Sequence, residues 1–199
     1  MTTQTQPHPG QRGSGASHNS AFQITGIDVS LTSTGIATLT HLPGTDGHAW
    51  AATTATIETR PSSGTPALLD RIAHIADLVG KHAHAADLLV IESGAYATRT
   101  SMAHALAGCW WLVYRQLATH NVPILEIPPT RVKKYATGRG RADKAAVAAS
   151  AARLWPATNI DDNNQADALI LATLGAHTTG RALPFQPAQH QTDLAEALT

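Results

Sequence analysis

The chain has 199 residues, 43% of them hydrophobic and only 14% charged, a balance that suits one domain with a sizeable core. Lys plus Arg equals Asp plus Glu at 14 each, so no global basic field marks a nucleic-acid binder. No stretch reaches the roughly 18 to 20 uninterrupted apolar residues of a membrane span, and "MTTQTQPHPGQRGSGASHNS" lacks the apolar block of a signal peptide, so a cytoplasmic location is expected.

Residues 1–21, rich in Gly, Ser, Thr, Gln and Pro, read as a disordered N-terminal tail. "FQITGIDVS" reads as a strand and "GIATLTHL" as its hairpin partner across the polar turn "LTSTG". A third strand is expected over "HAWAATTATIET". "TPALLDRIAHIADLVGKHAHA" has Leu68, Leu69, Ile72, Ile75, Ala76 and Val79 at helical spacing, opened by Thr65 and Pro66. "DLLVIES" is a short, continuously apolar run, the pattern of a strand covered on both faces. A helical pattern over "TSMAHALAGCWWLVYRQLATH" leads to the strand "VPILEI", a basic loop, the helix "ADKAAVAASAARLW" and a last helix opened by "DDNNQADALILA". This order predicts an α/β fold: a mixed five-stranded sheet, antiparallel meander plus parallel strands, flanked by helices over residues 22–180. Residues 181–199 are expected to form a flexible tail with at most a short helix beyond two prolines.

The single cysteine, Cys109, excludes an internal disulfide framework, and its apolar neighbours suggest a buried thiol. The eleven histidines are scattered, without the spacing of a metal site. The acids are more informative. Asp28 ends the first strand, Glu92 ends the central parallel strand, and Asp167 begins a helix whose Leu169, Ile170 and Leu171 require burial. Reactive groups collect outside the carboxyl ends of strands in open sheets, so the three could converge there. Convergent carboxylates repel and are driven toward protonation unless a cation sits among them. Oxygen-only ligation suits Mg2+, or Mn2+, and two such ions can act on both sides of a phosphodiester.

The charge distribution adds a second feature. Between Arg131 and Lys144 lie six cations against one acid, Asp143, interleaved with Gly138 and Gly140, whose freedom lets a backbone approach phosphates closely.

"GIDVSLTSTGIA", "LLVIESGAYA", "KKYATGRGRADKAAV" and "NNQADALILA" together resemble the successive motifs of the RuvC-like Holliday-junction resolvases of the ribonuclease H-like superfamily, particularly their phage-type and actinobacterial branches, over about Ile24 to His177. The resemblance implies a magnesium-dependent endonuclease acting as a homodimer and nicking two strands of a four-way DNA junction symmetrically. Asp28, Glu92 and Asp167 match the family's catalytic, metal-binding acids. One position departs: three residues before the helical aspartate, where many relatives carry Asp or His, stands Asn164. Its amide can coordinate through oxygen but brings no charge, so Asp162 is expected as an auxiliary ligand beside it, with Asp161 as a helix cap.

The resemblance also sets Lys133, Lys134, Arg139, Arg141 and Lys144 against the junction backbone, and Tyr96 near unpaired bases at its centre, where it would stack. It makes "TSMAHALAGCWWLVYRQLATH", apolar almost all round, the dimer helix. Two alternatives remain at this level: a ribonuclease H-like nuclease for another branched or hybrid nucleic acid, and a junction-binding module with a site impaired by Asn164. An actin-like or sugar-kinase ATPase shares a "GIDxS" start but needs two comparable domains, more than 199 residues hold.

Overall fold

A computed structural model of the chain describes residues 21–42, 50–61, 63–94 and 102–199. All but the last residue of the expected N-terminal tail, and Tyr96, lie outside these residues. The elements run β1 (Phe22–Asp28), β2 (Ser33–His41), β3 (Trp50–Glu58), α1 (Thr65–Ala83), β4 (Leu88–Glu92), α2 (Ala103–Ala118), β5 (Ile124–Ile127), α3 (Pro129–Thr137), α4 (Lys144–Leu154), α5 (Asn163–Thr178) and α6 (Gln189–Glu196). The strands form one sheet in the order β3-β2-β1-β4-β5. β1 pairs antiparallel with β2, and β2 with β3, whereas β1 and β4 and then β4 and β5 run parallel. This is the mixed α/β sheet that the strand patterns predict.

Register places the chemistry. Ile27 pairs with Ile91, so Asp28 and Glu92 end adjacent parallel strands side by side, at the spacing of neighbouring strands, about 5 Å. Alternation along β1 and β4 sends Ile27, Leu89 and Ile91 to one face, where they pack with Ile72, Ile75 and Val79 of α1 and Cys109, Val113 and Leu117 of α2. Burial pushes the Cys109 thiol up to about 11, so it is an inert core group. Ile24 and Val90 face the other way, toward Leu169, Ile170 and Leu174 of α5 and toward Val132 and Tyr135 of α3 and Val147 of α4. Two apolar layers therefore sandwich the sheet.

α5 reaches the sheet closely because β1 and β2 carry glycine under it. A Cβ at Gly26 would collide with the Ala168 carbonyl oxygen and the Ala172 nitrogen, and one at Gly35 with the Asn164 carbonyl. The helix thus rests on bare backbone, one turn from the end of β1.

Two segments depart from the sequence reading. The expected basic loop starts as a helix, α3: Pro129 takes its first turn, Val132, Tyr135 and Ala136 supply a buried face, and Gly138 closes it with φ 75°. Residues 181–199 are not a flexible tail over their described length. Leu183, Leu194 and Ala195 are buried in the α5-side core, and α6 packs there, because apolar residues spaced along a polar segment still find a groove left open by α3 and α5. Among the described residues, no helix is long and apolar enough to cross a membrane.

Candidate active site

The site is built from strand ends, a helix start and a turn. After Asp28 the chain enters a turn tied by its own hydroxyls: Thr34 Oγ1 donates to the Ser30 carbonyl at 2.7 Å and accepts from Ser30 N at 3.1 Å. Arg71, buried beneath it, donates to the Leu31 carbonyl and to Thr59 Oγ1. Glu92 is held through its backbone, whose carbonyl accepts the Trp110 indole N–H at 2.8 Å. The next residue, Ser93, donates its amide to Ile127 at 2.9 Å, extending the β4 pairing past the acid.

The start of α5 is stitched to β2 and β3. Asp162 is its N-cap: one carboxylate oxygen accepts from Gln165 N at 2.8 Å and the other from Thr56 Oγ1 at 2.8 Å. Gln165, buried, donates to Thr56 Oγ1 and accepts from Asp161 N, both at 2.9 Å. Asn164 donates to Ser33 Oγ at 2.9 Å. Asp161 accepts from Asn159 at 2.6 Å. The cap expected of Asp161 is thus supplied by Asp162, while Asp161 is held by Asn159. Asp162 caps the helix with both oxygens engaged, and its charge acts on Asp28. Gln165, which the sequence reading passed over, is a main stitch; its only one-dimensional signal is a polar residue three positions after a capping aspartate.

These constraints bring Asp28, Glu92 and Asp167 within electrostatic reach of one another, two of them lining the same cleft with Ser93, Gly94 and Trp110. Burial, then the charges of Glu92 and Asp167, hold the Asp28 carboxyl well above its usual range. Burial, then Asp167, push Glu92 up to about 7, and burial raises Asp167 too. Two cations oppose these shifts: Lys144 acts on all three acids and Lys133 on Glu92 and Asp167. So α3 and α4 bring part of the basic segment to the edge of the acid cluster, which no one-dimensional pattern states. Lys144 occupies the first position of α4, behind the Asp143 cap, where a cation opposes the helix dipole. Lys134, Arg139 and Arg141 are exposed.

Three desolvated carboxylates within electrostatic reach of one another, opposed by Lys133 and Lys144, are oxygen donors of the kind a hard divalent ion takes. Among the described residues, no group of three or more His, Cys, Asp or Glu side chains is placed so that it could hold an ion. An all-protein cage is not what such ions require, since Mg2+ keeps several waters and completes its shell from substrate phosphate.

The sequence profile described as crossover junction endodeoxyribonuclease RuvC matches residues 24–175. Crossover junction endodeoxyribonuclease RuvC of Sorangium cellulosum is 40% identical over 89 residues, which cover 44% of this chain and 49% of that protein. Its counterpart in Parvibaculum lavamentivorans is 31% identical over 155 residues, covering 77% of this chain and 85% of that protein. The chain thus spans about half the length of the first relative and most of the second. Among solved structures, Thermus thermophilus RuvC matches with a TM-score of 0.63 at 21% identity, covering 84% of this chain and all of that one. T. thermophilus RuvC in complex with Holliday junction substrate matches at 0.61 and 20% identity, covering 76% of this chain and 90% of the other. Both structural matches carry the ribonuclease H-like fold, and the profile and the sequence matches carry the kinship. This chain belongs to the RuvC family of crossover junction endodeoxyribonucleases.

Proposed function

We propose that the protein is a metal-dependent endonuclease that resolves four-way DNA junctions by paired, symmetric nicks made by a homodimer. The observation that carries this reading is that Asp28, Glu92 and Asp167, from β1, β4 and α5, lie within electrostatic reach of one another, with Lys133 and Lys144 acting on the same acids. Asp28, Glu92 and Asp167 are the residues that would hold Mg2+ or Mn2+, two ions per site; bound there, the metal supplies an activated water and charge neutralisation at the leaving oxygen. Asn164 is a candidate for a further neutral ligand through its amide oxygen, its nitrogen being engaged by Ser33.

The residues divide the remaining work. Lys133 and Lys144 attract the phosphate to the acids and offset their mutual repulsion as substrate arrives. Lys134, Arg139 and Arg141, exposed beside them, extend the contact along the DNA backbone with no demand on sequence. Trp110 fixes the backbone of Glu92, and the α5 stitches fix Asp167, so the acids need little reorganisation when substrate binds. Tyr96 keeps its assignment as a base-stacking residue within this proposal.

The test is cleavage of a synthetic four-way junction with and without Mg2+, using the parent, Asp28→Asn and Asp167→Asn. Each substitution is expected to lower the cleavage rate by on the order of 10³-fold while junction binding persists, since binding rests on the cations. Full activity in both variants would remove the site. Equal cutting of forks or RNA–DNA hybrids would redirect the substrate, and binding without metal-dependent cutting by the parent would leave only a junction-binding module.

A further inference from the structure

Past residue 175, where the family profile ends, the chain straps back across the domain. The Arg181 guanidinium lies 3.7 Å above the Phe22 ring, Trp50 Nε1 donates to the Ala182 carbonyl at 2.8 Å, and Phe185 meets Trp155 edge to face at 6.3 Å. The strap ends in α6, which sends two side chains to one atom. Gln191 Nε2 donates to the Tyr135 carbonyl oxygen at 3.2 Å, while Gln191 Oε1 accepts from Ala188 N at 2.9 Å. His190 Nε2 stands 3.3 Å from that same oxygen. A carbonyl can only accept, so the ring presents an N–H there. The His190 ring also covers Gly138, with ring atoms 3.8 to 3.9 Å from where a Cβ would stand.

The atom they grip is informative. Tyr135 lies in the last turn of α3, where carbonyls lack intrahelical partners; Gly138 N goes to Lys134 instead, and Arg139 N to Thr137 Oγ1. α6 supplies the missing donors from outside. Lys133 lies two residues before this carbonyl, and the loop with Arg139 and Arg141 begins three residues after it. The apolar anchoring of α6 comes from Leu194 and Ala195; Gln191 is buried beside them and His190 is half-buried, and both turn polar atoms to the loop's root.

We infer that His190 and Gln191 are positioning residues for substrate binding: α6 clamps the C-terminal carbonyl of α3 and the αL residue Gly138, and so holds Lys133, Arg139 and Arg141 in place for DNA phosphates. This rests on the reading of residues 131–144 as the junction-binding segment. A preordered loop loses less freedom on binding, which raises affinity without adding a contact.

The test uses the full chain and a synthetic four-way junction. It compares the parent, a His190→Ala/Gln191→Met double variant, Gln191→Glu, and Arg139→Ala/Arg141→Ala. Gln191→Glu keeps an acceptor for Ala188 N but loses the amide donor, so it separates the cap of α6 from the grip on α3. Both clamp variants are expected to speed amide hydrogen exchange in residues 136–142 by about tenfold or more while β1, β4 and α5 exchange as in the parent. Junction affinity should fall by about tenfold, and the slope of log K against log salt by about one. Unchanged exchange or unchanged affinity in the clamp variants overturns the inference. If Arg139→Ala/Arg141→Ala weakens binding and the clamp variants do not, only the clamp is wrong; a parent that binds no junction overturns both readings. Should the double variant fail to fold, Gln191→Glu alone carries the same measurements.

Discussion

Glu92 shows how burial turns an ordinary acid into one reluctant to ionise. Burial first, and then Asp167, push its carboxyl from the usual 4.5 up to about 7. The folded state therefore holds this proton more tightly than the unfolded chain does. The stabilisation it gives is complete below the unfolded value and is lost as pH rises through about 7. Asp28 and Asp167 are shifted in the same direction. Metal-free protein should accordingly lose Tm, by several degrees, between about pH 5 and about pH 8, and added Mg2+ should restore it at the upper end. Glu92→Gln, which cannot ionise, should flatten that dependence; a thermal-shift series at several pH values, with and without Mg2+, measures both effects. The aspartates near α5 carry the complementary lesson. Three acids within seven residues are indistinguishable by type, and only their partners separate a cap, Asp162, from a half-buried carboxylate within electrostatic reach of Asp28 and Glu92, Asp167.

At the level of elements, α5 decides the site. It lies directly over Gly26 and Gly35, and its start is tied to β2 and β3 through Asn164, Gln165 and Asp162. A methyl group at Gly26 would meet helix backbone, which cannot move aside as a flexible side chain can. Gly26→Ala is expected to cost about 3 kcal/mol in chemical denaturation, and to lower cleavage more than junction binding because Asp167 shifts with α5 while the cations stay. Most elements were legible from periodicity. α3 was written in the sequence too, in two prolines, an apolar triplet at Val132, Tyr135 and Ala136, and Gly138, but the density of cations made it read as a loop. α6 was harder, since eight largely polar residues gain their stability from a groove that other elements provide.

For the whole molecule, the two faces of the sheet do different work. The α5 face carries the acids, the basic segment and the C-terminal strap. The opposite face is covered by α1 and α2, and α2 leaves Trp111 56% exposed, a large apolar surface for one side chain. The Trp111 ring lies edge-on to Trp110 at 5.0 Å, and Trp110 in turn holds the Glu92 carbonyl. A dimer formed through α2, as proposed, would cover Trp111 and connect the interface to the active site through a single indole. Trp111→Arg should weaken such a dimer by on the order of thirtyfold or more in sedimentation velocity, the effect of losing one central aromatic anchor. A parent that sediments only as a monomer at micromolar concentration would dismiss the dimer.

Local pattern determined the strands, the main helices and the mixed sheet, and marked three acids at element ends as candidates, because alternation, helical spacing and the ends of apolar runs depend on neighbours a few residues away. Convergence was a tertiary matter. Strand register set Asp28 beside Glu92, bare glycine backbone let α5 bring Asp167 down to them, and the folding of α3 and α4 brought Lys133 and Lys144 to the same place. Electrostatic interaction falls off with distance in space and is blind to distance along the chain, so the pairing of those lysines with those acids, and the grip of His190 and Gln191 on Tyr135, had no imprint in one dimension.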